Sequence, residues 1–254
     1  MFFLDTLDAH GVLTLTINRP EMRNALSRQA MQALVRLLAA RAGDPQVRLL
    51  VVTGAGERAF CAGGDLKDAE GTRTPRGAHE FGRFGTLALD AIRNFPVPSI
   101  AALNGLAYGG GSELALACDM RIAAAHAEIG FIQSAMNIST AWGGGADLMR
   151  LVGYGRAIEW LAFGRRFRGA AAVAVGLFNA VAGEDEDFAA FVRTFIAPLA
   201  ELEPGVLRAI KAQAIAERFG LPVLGERAAG HERFVATWLH PEHWARADRA
   251  LKKK

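Results

Sequence analysis

Glu113 opens an apolar helical run, Leu114-Ala115-Leu116-Ala117, directly after Gly109-Gly110-Gly111-Ser112. Burying a carboxylate there raises its pKa toward values useful for acid/base chemistry, while the start of a helix opposes that rise. A purely structural carboxylate at a helix start is the competing reading. A second glycine turn, Phe60-Cys61-Ala62-Gly63-Gly64-Asp65-Leu66-Lys67, also leaves an expected strand. Glycines before a helix remove Cβ atoms, admit a ligand to the backbone and leave the first N–H groups without internal partners. One such donor from each turn would hold a carbonyl oxygen in an oxyanion hole, where losing a single donor costs about 2.7–4 kcal/mol of activation free energy.

Other motifs carry less. Gly54-Ala55-Gly56-Glu57-Arg58-Ala59 fits a dinucleotide-binding fingerprint, but Phe60-Cys61-Ala62-Gly63-Gly64 follows where a helix is required, so it reads as a turn leaving a strand. Ser112 lacks the glycine two residues on that a nucleophile elbow needs, since Leu114 stands there. His231-Glu232, His240 and His243 have no metal-ligand spacing, and no metal is expected. Cys61 and Cys118 read as small buried hydrophobes rather than nucleophiles.

These residues need a scaffold. Phe2–Leu7 and Val12–Ile17 read as a hairpin around His10-Gly11, and Ser27 caps a helix running to about Ala42. Val47–Thr53 is a continuous apolar strand covered on both faces, and a helix over Ala78–Asn94 precedes another strand, Ser99–Leu103. After Leu148 the pattern turns helical: Tyr154–Phe163, Ala170–Leu177, Phe188–Leu202, Val206–Arg218 and Glu226–Trp238, with Phe178–Val181 the one plausible strand. The class is α/β.

With 254 residues, 51% hydrophobic and 22% charged, the chain can build a sizeable core, which excludes intrinsic disorder. The longest uncharged stretch, Asn94–Ser112, is broken by prolines and glycines, so no membrane span is expected. A net charge of +3, partly from the Lys252–Lys254 tail, gives no reason to expect nucleic-acid binding. Two cysteines and the lack of a tripartite leader point to a reduced, cytoplasmic setting.

Several segments, in order and spacing, resemble the crotonase superfamily, the enoyl-CoA hydratase/isomerase family. They are Ile17-Asn18-Arg19-Pro20 with Asn24-Ala25-Leu26-Ser27, Val52-Thr53-Gly54, the two glycine turns, Pro98-Ser99-Ile100-Ala101-Ala102-Leu103-Asn104-Gly105, and Ala117-Cys118-Asp119. Trp142-Gly143-Gly144 and Arg150-Leu151-Val152-Gly153 continue the likeness.

The resemblance implies a crotonase-like spiral of ββα units over residues 1–195 and a C-terminal helical trimerisation region over 196–254, assembled as a homotrimer or dimer of trimers. It implies oxyanion donors at the N–H groups of Gly64 and Gly110 and an acid/base at Glu113, acting on a CoA thioester without a metal or redox cofactor. Ala62, Asp65, Leu66 and Lys67 would line the CoA groove, and Arg23 would meet a phosphate, although a solvated side chain is the alternative for both cations. Asp119 matches the family but reads as structural.

One departure matters. Hydratases of the family carry a second glutamate where this chain has Gln133, which cannot exchange a proton, so efficient hydration is in doubt. Isomerisation and decarboxylation manage with one carboxylate. Phe131, Gln133 and Trp142 are similar to members that decarboxylate methylmalonyl- or ethylmalonyl-CoA, with Trp142 either walling the acyl pocket or serving as a core residue. A CoA- or RNA-binding protein with little catalysis is the further alternative.

Overall fold

The computed structural model describes residues 1–69 and 74–220, with Arg233, Val235, Pro241 and Ala245. Strands β1 (Phe3–Leu7) and β2 (Val12–Ile17) form the expected antiparallel hairpin, its turn held by the Asp8 carboxylate, which accepts from the N–H groups of His10 and Val12 at 2.8 and 2.9 Å. Helix α1 (Arg28–Ala42) starts on the Ser27 hydroxyl, which accepts from Ala30 N–H, and turns Ala30, Met31, Leu34 and Leu38 inward. That burial, at helical spacing, is the reason this stretch folds as it does.

A repeated step follows. β3 (Leu49–Gly54) turns a corner into β4 (Ala59–Cys61), which leads to α2 (Leu66–Ala69) and α3 (Pro75–Arg93). β5 (Ser99–Leu103) turns into β6 (Leu106–Tyr108) and α4 (Gly110–Ala117). β7 (Met120–Ala123) passes to β8 (Glu128–Gly130) and a short 3-10 helix, Ile132–Met136. The first strand of each step joins a six-stranded sheet ordered β1-β2-β3-β5-β7-β10, parallel beyond β2, and the second joins a four-stranded sheet ordered β4-β6-β8-β9. This is the spiral of ββα units, its strands shared between two sheets.

The remaining elements are α5 (Gly144–Val152), α6 (Tyr154–Ala162), β9 (Arg166–Arg168), α7 (Gly169–Ala174), β10 (Ala180–Val181), α8 (Phe188–Ala200) and α9 (Pro204–Phe219). β9 pairs antiparallel with β8 and is a strand the sequence did not reveal, because Arg166-Phe167-Arg168 is short and polar. Helix α3 starts three residues earlier than expected, at Pro75, since Thr74 caps it and proline suits the first helical turn. Most of the expected Glu226–Trp238 helix lies outside the described residues, as do His231, His240 and His243. The expected division at residue 195 falls within α8.

The apolar run in β3 serves two cores. Leu50 and Val52 face the main one, with α1 and α3, while Leu49 and Val51 face a second one closed by Ile196 of α8 and Leu207 of α9. Both faces of the strand are therefore covered, which is why its sequence does not alternate. At the β3–β4 corner two buried asparagines replace regular ladder bonds. Asn104 accepts from Gly54 N–H at 2.9 Å and donates to Gly56 O at 2.5 Å, and Asn24 donates to Ala55 O and Ala59 O at 3.1 and 2.7 Å. The chain leaves this corner as a strand, where a dinucleotide fingerprint would run into a helix.

Replacing Asn104 with alanine leaves the buried Gly54 N–H unpaired and is expected to destabilise the fold by about 1–3 kcal/mol in urea unfolding. An unchanged midpoint would show that the corner does not rely on this side chain.

Candidate active site

The two glycine turns touch. A Cβ on Gly63 would lie 3.0 Å from Gly110 N and 2.9 Å from Tyr108 O, and one on Gly111 would lie 1.8 Å from Cys61 O. Only residues without a side chain allow this approach. The first turn is fixed from below: Leu26 N–H donates to Gly63 O at 2.8 Å, and Asp65 N–H donates to Leu26 O at 2.9 Å. The second is set by Gly109, whose φ of +54° and ψ of −117° turn the chain from β6 into α4. Among the described residues, neither Gly64 N–H nor Gly110 N–H meets a hydrogen-bond acceptor. Two donors are thereby left at the contact of the turns.

Glu113, three residues into α4, is 3% exposed. Its Oε2 accepts from Trp142 N–H at 3.0 Å and Gly144 N–H at 2.9 Å, which puts it at the amino end of α5. Its Oε1 accepts from the Gln133 side-chain amide at 3.3 Å. Burial raises the Glu113 pKa above the ordinary carboxylate value, and the N–H groups of Gly144 and Trp142 and the Gln133 amide limit the rise. Gly144 has no room for a side chain, since a Cβ there would stand 2.3 Å from Glu113 Cγ.

Gln133 sits on the 3-10 helix after β8 and is buried, as is its Oε1, which has no partner among the described residues. Its amide nitrogen serves Glu113 while its oxygen stays free to accept a hydrogen bond from a ligand or water.

Trp142 is 4% exposed and lies across both turns. Its indole would collide with a Cβ on Gly110 at 2.2 Å or on Gly85 at 2.1 Å, lies 3.5 Å from one on Gly64, and packs against Phe81 with ring centroids 5.9 Å apart. Its carbonyl accepts from Arg93 at 2.9 Å, and Arg93 forms a buried ion pair with Asp147 at 2.8 Å. Phe81, Gly85, Arg93 and Asp147 were not singled out from the sequence. The available signal for the ion pair was one opposite charge on the apolar face of each of two helices, α3 and α5.

The remaining expected residues divide. Ala62 N–H donates to Arg23 O at 3.0 Å, which joins the Arg23 loop to the first glycine turn; the Arg23, Leu66 and Lys67 side chains are exposed there. Asp65 is buried and turned away from solvent: it accepts from Arg19 at 2.9 Å and from the N–H groups of Lys67 and Asp68. Burial pushes its pKa up, but Arg19 and those N–H groups bring it below the ordinary value. The Phe131 ring stacks on Trp160 of α6, with centroids 6.3 Å apart, and belongs to the core. Asp119 accepts from Ser99 and Lys211, the structural part anticipated for it. Ser112 donates to Gly109 O, and burial pushes the thiols of Cys61 and Cys118 up to about 12. Neither cysteine is a ready nucleophile at neutral pH.

Residues 8–236 match the enoyl-CoA hydratase/isomerase family model. The chain is 39% identical over 214 residues to the mitochondrial enoyl-CoA hydratase domain-containing protein 2 of Mus musculus, covering 84% of this chain and 72% of that protein. It is 37% identical over 180 residues to the mitochondrial methylglutaconyl-CoA hydratase of the same species, covering 70% of this chain but 56% of that protein's length. The crystal structure of an enoyl-CoA hydratase from Bacillus anthracis superposes with a TM-score of 0.88 at 29% identity, covering 100% of this chain and 97% of that one. The chain belongs to the enoyl-CoA hydratase/isomerase family and has the crotonase fold.

Proposed function

We propose that the chain acts on an acyl-CoA thioester, with the N–H groups of Gly64 and Gly110 holding the thioester oxygen and Glu113 carrying the proton. The observation that supports this best is the pair of unpartnered N–H groups where the two glycine turns touch, close along α4 to a buried carboxylate of raised pKa. Ionised Glu113 takes a proton from the carbon next to the thioester, and the C–H electron pair moves toward the thioester oxygen. Two N–H donors aimed there stabilise the enolate without reorganising. The same carboxyl group then returns the proton; delivered two carbons further along a 3-enoyl chain it yields the 2-enoyl isomer, with no atoms gained or lost.

Double-bond migration is the reaction this equipment fits. Gln133 cannot donate or accept a proton as an acid or base, so hydration lacks its second proton carrier, although the free Oε1 could orient a water. A second reading, decarboxylation of a 2-carboxyacyl-CoA, reaches the same enolate by loss of CO₂ and needs Glu113 only to protonate it. The Trp142 indole supports this reading, because it packs across the glycine pair, where a bulky side chain would restrict the acyl group. Arg23 and Lys67, exposed beside Ala62 and Leu66, are the cations offered to the CoA phosphates. The exposed Tyr154, Ile158 and Phe163 around α6 support assembly of copies, with a trimer as the proposed state.

Incubation with crotonyl-CoA, a 3-enoyl-CoA and ethylmalonyl-CoA, followed by mass spectrometry and chromatography, separates water gain, isomerisation and CO₂ loss. No turnover of any of the three would defeat the proposal. Glu113→Gln is expected to keep CoA-thioester affinity while turnover falls by at least about 10²-fold. Equal turnover would remove Glu113 from the chemistry. Gln133→Glu is expected to raise hydration of crotonyl-CoA, and no gain would mean that the missing carboxylate is not the limit.

The raised pKa of Glu113 also has a stability consequence. The folded chain holds this proton more tightly than the unfolded one, so stability falls as pH rises from the ordinary 4.5 toward the folded value and then levels. In urea melts across that interval, Glu113→Gln should gain on the wild type as pH increases. A difference independent of pH would show that burial does not perturb the carboxyl group.

A further inference from the structure

We propose that the cavity between α4, β7, α5 and α9 binds a tetrahedral oxyanion, at a place separate from the glycine turns. The cavity, about 210 Å³, is lined by Arg121, Arg150 and Arg218 together with Asp119 and Asp147. Asp119 is engaged at both oxygens and Asp147 at Oδ2, while Asp147 Oδ1 faces Arg150 and Arg218. Asp147 accepts from Arg93 at 2.8 and 2.9 Å, and each oxygen of Asp119 accepts from Lys211 at 2.7 Å. Arg150 and Arg218 approach these carboxylates only at 3.8–4.0 Å.

Among the described residues no carboxylate stands within ion-pair distance of Arg121, although Asp119 and Asp147 attract it from farther away. It donates instead to the carbonyls of Leu177 and Cys118, at 5% exposure, and burial lowers its pKa, with Arg218 adding to the effect. When Asp90, which pairs with Arg93 at 2.7 Å, is included, Arg93, Arg121, Arg150, Lys211 and Arg218 meet Asp90, Asp119 and Asp147. Two positive charges are left over beside the cavity, whose arginines range from the buried Arg121 to the half-exposed Arg150.

Uncompensated charge away from water is unfavourable, and an anion relieves it. Guanidinium forks match a tetrahedral oxyanion in charge and geometry, with two N–H bonds each. The volume is several times the ~30 Å³ share of a liquid water molecule, so a phosphate and bridging waters fit. The Arg150 side chain, 56% exposed, stands where it can fold over an incoming anion, while Arg218, at 18%, is held in place by Ala117 O. The same chemistry suits a free oxyanion and a phosphoryl group of a larger ligand.

Two measurements on the full chain test this. Crystals soaked in selenate, which scatters anomalously, should show a peak within hydrogen-bonding distance of Arg150 and Arg218. Titration with inorganic phosphate should give a saturable isotherm that Arg150→Glu weakens at least about tenfold. Repeating the titration with CoA present identifies the source: additive binding supports a free oxyanion, and one-for-one displacement supports a phosphoryl group in the same cavity. Selenate found only elsewhere, no phosphate binding to the wild type, or equal affinity in a folded Arg150→Glu protein would overturn the proposal.

Discussion

Holding one carboxylate out of water organises the whole site. Glu113 is buried, and each of its oxygens has a donor: Trp142 and Gly144 N–H for one, the Gln133 amide for the other. Those three donors come from a loop, a helix start and a 3-10 turn, none of which is near α4 in sequence. An unsatisfied carboxylate in that place would be far more costly than any of the loops around it, so the tertiary structure is committed to bringing them together. The absent side chain at Gly144 and the buried Arg93–Asp147 pair serve the same end, because both keep the Trp142 segment seated on the carboxylate.

The two-sheet spiral supplies the other half. Each ββα step crosses from one sheet to the other at a tight corner, and the second strands of successive steps, β4 and β6, lie side by side in parallel. The turns that leave them must then emerge next to each other. Adjacent pairing of strands far apart in sequence is what converts two unremarkable glycine runs into a single pair of N–H groups. The asparagine clamps at the β3–β4 corner hold that crossing without ladder bonds, which is why polar residues persist inside an otherwise apolar core.

Much of this was legible from residue types. Ser27 as a cap, the doubly covered β3 strand, the two glycine turns and the burial of Glu113 and of both cysteines follow from local chemistry and periodicity. What stayed hidden was long-range. Phe81 and Gly85 frame the Trp142 indole only after α3 docks, and no local pattern distinguishes that glycine from one that weakens a helix. The resemblance implies a groove position for Asp65, which turns toward Arg19, and Phe131 follows a strand yet packs on a helix about thirty residues later. β9 was missed because its three residues depend on β8 for their conformation.

Cys61 ends the strand that delivers the first glycine turn, so a sulfur atom lies within two residues of Gly63, whose N–H it accepts at 3.4 Å. With its pKa pushed up to about 12, that sulfur stays protonated at neutral pH. A thioester brought to the turn would therefore escape exchange onto the protein, and no acylated cysteine would accumulate to stall successive turnovers. The strand can keep a compact, polarizable packing atom there without its becoming a suicide trap.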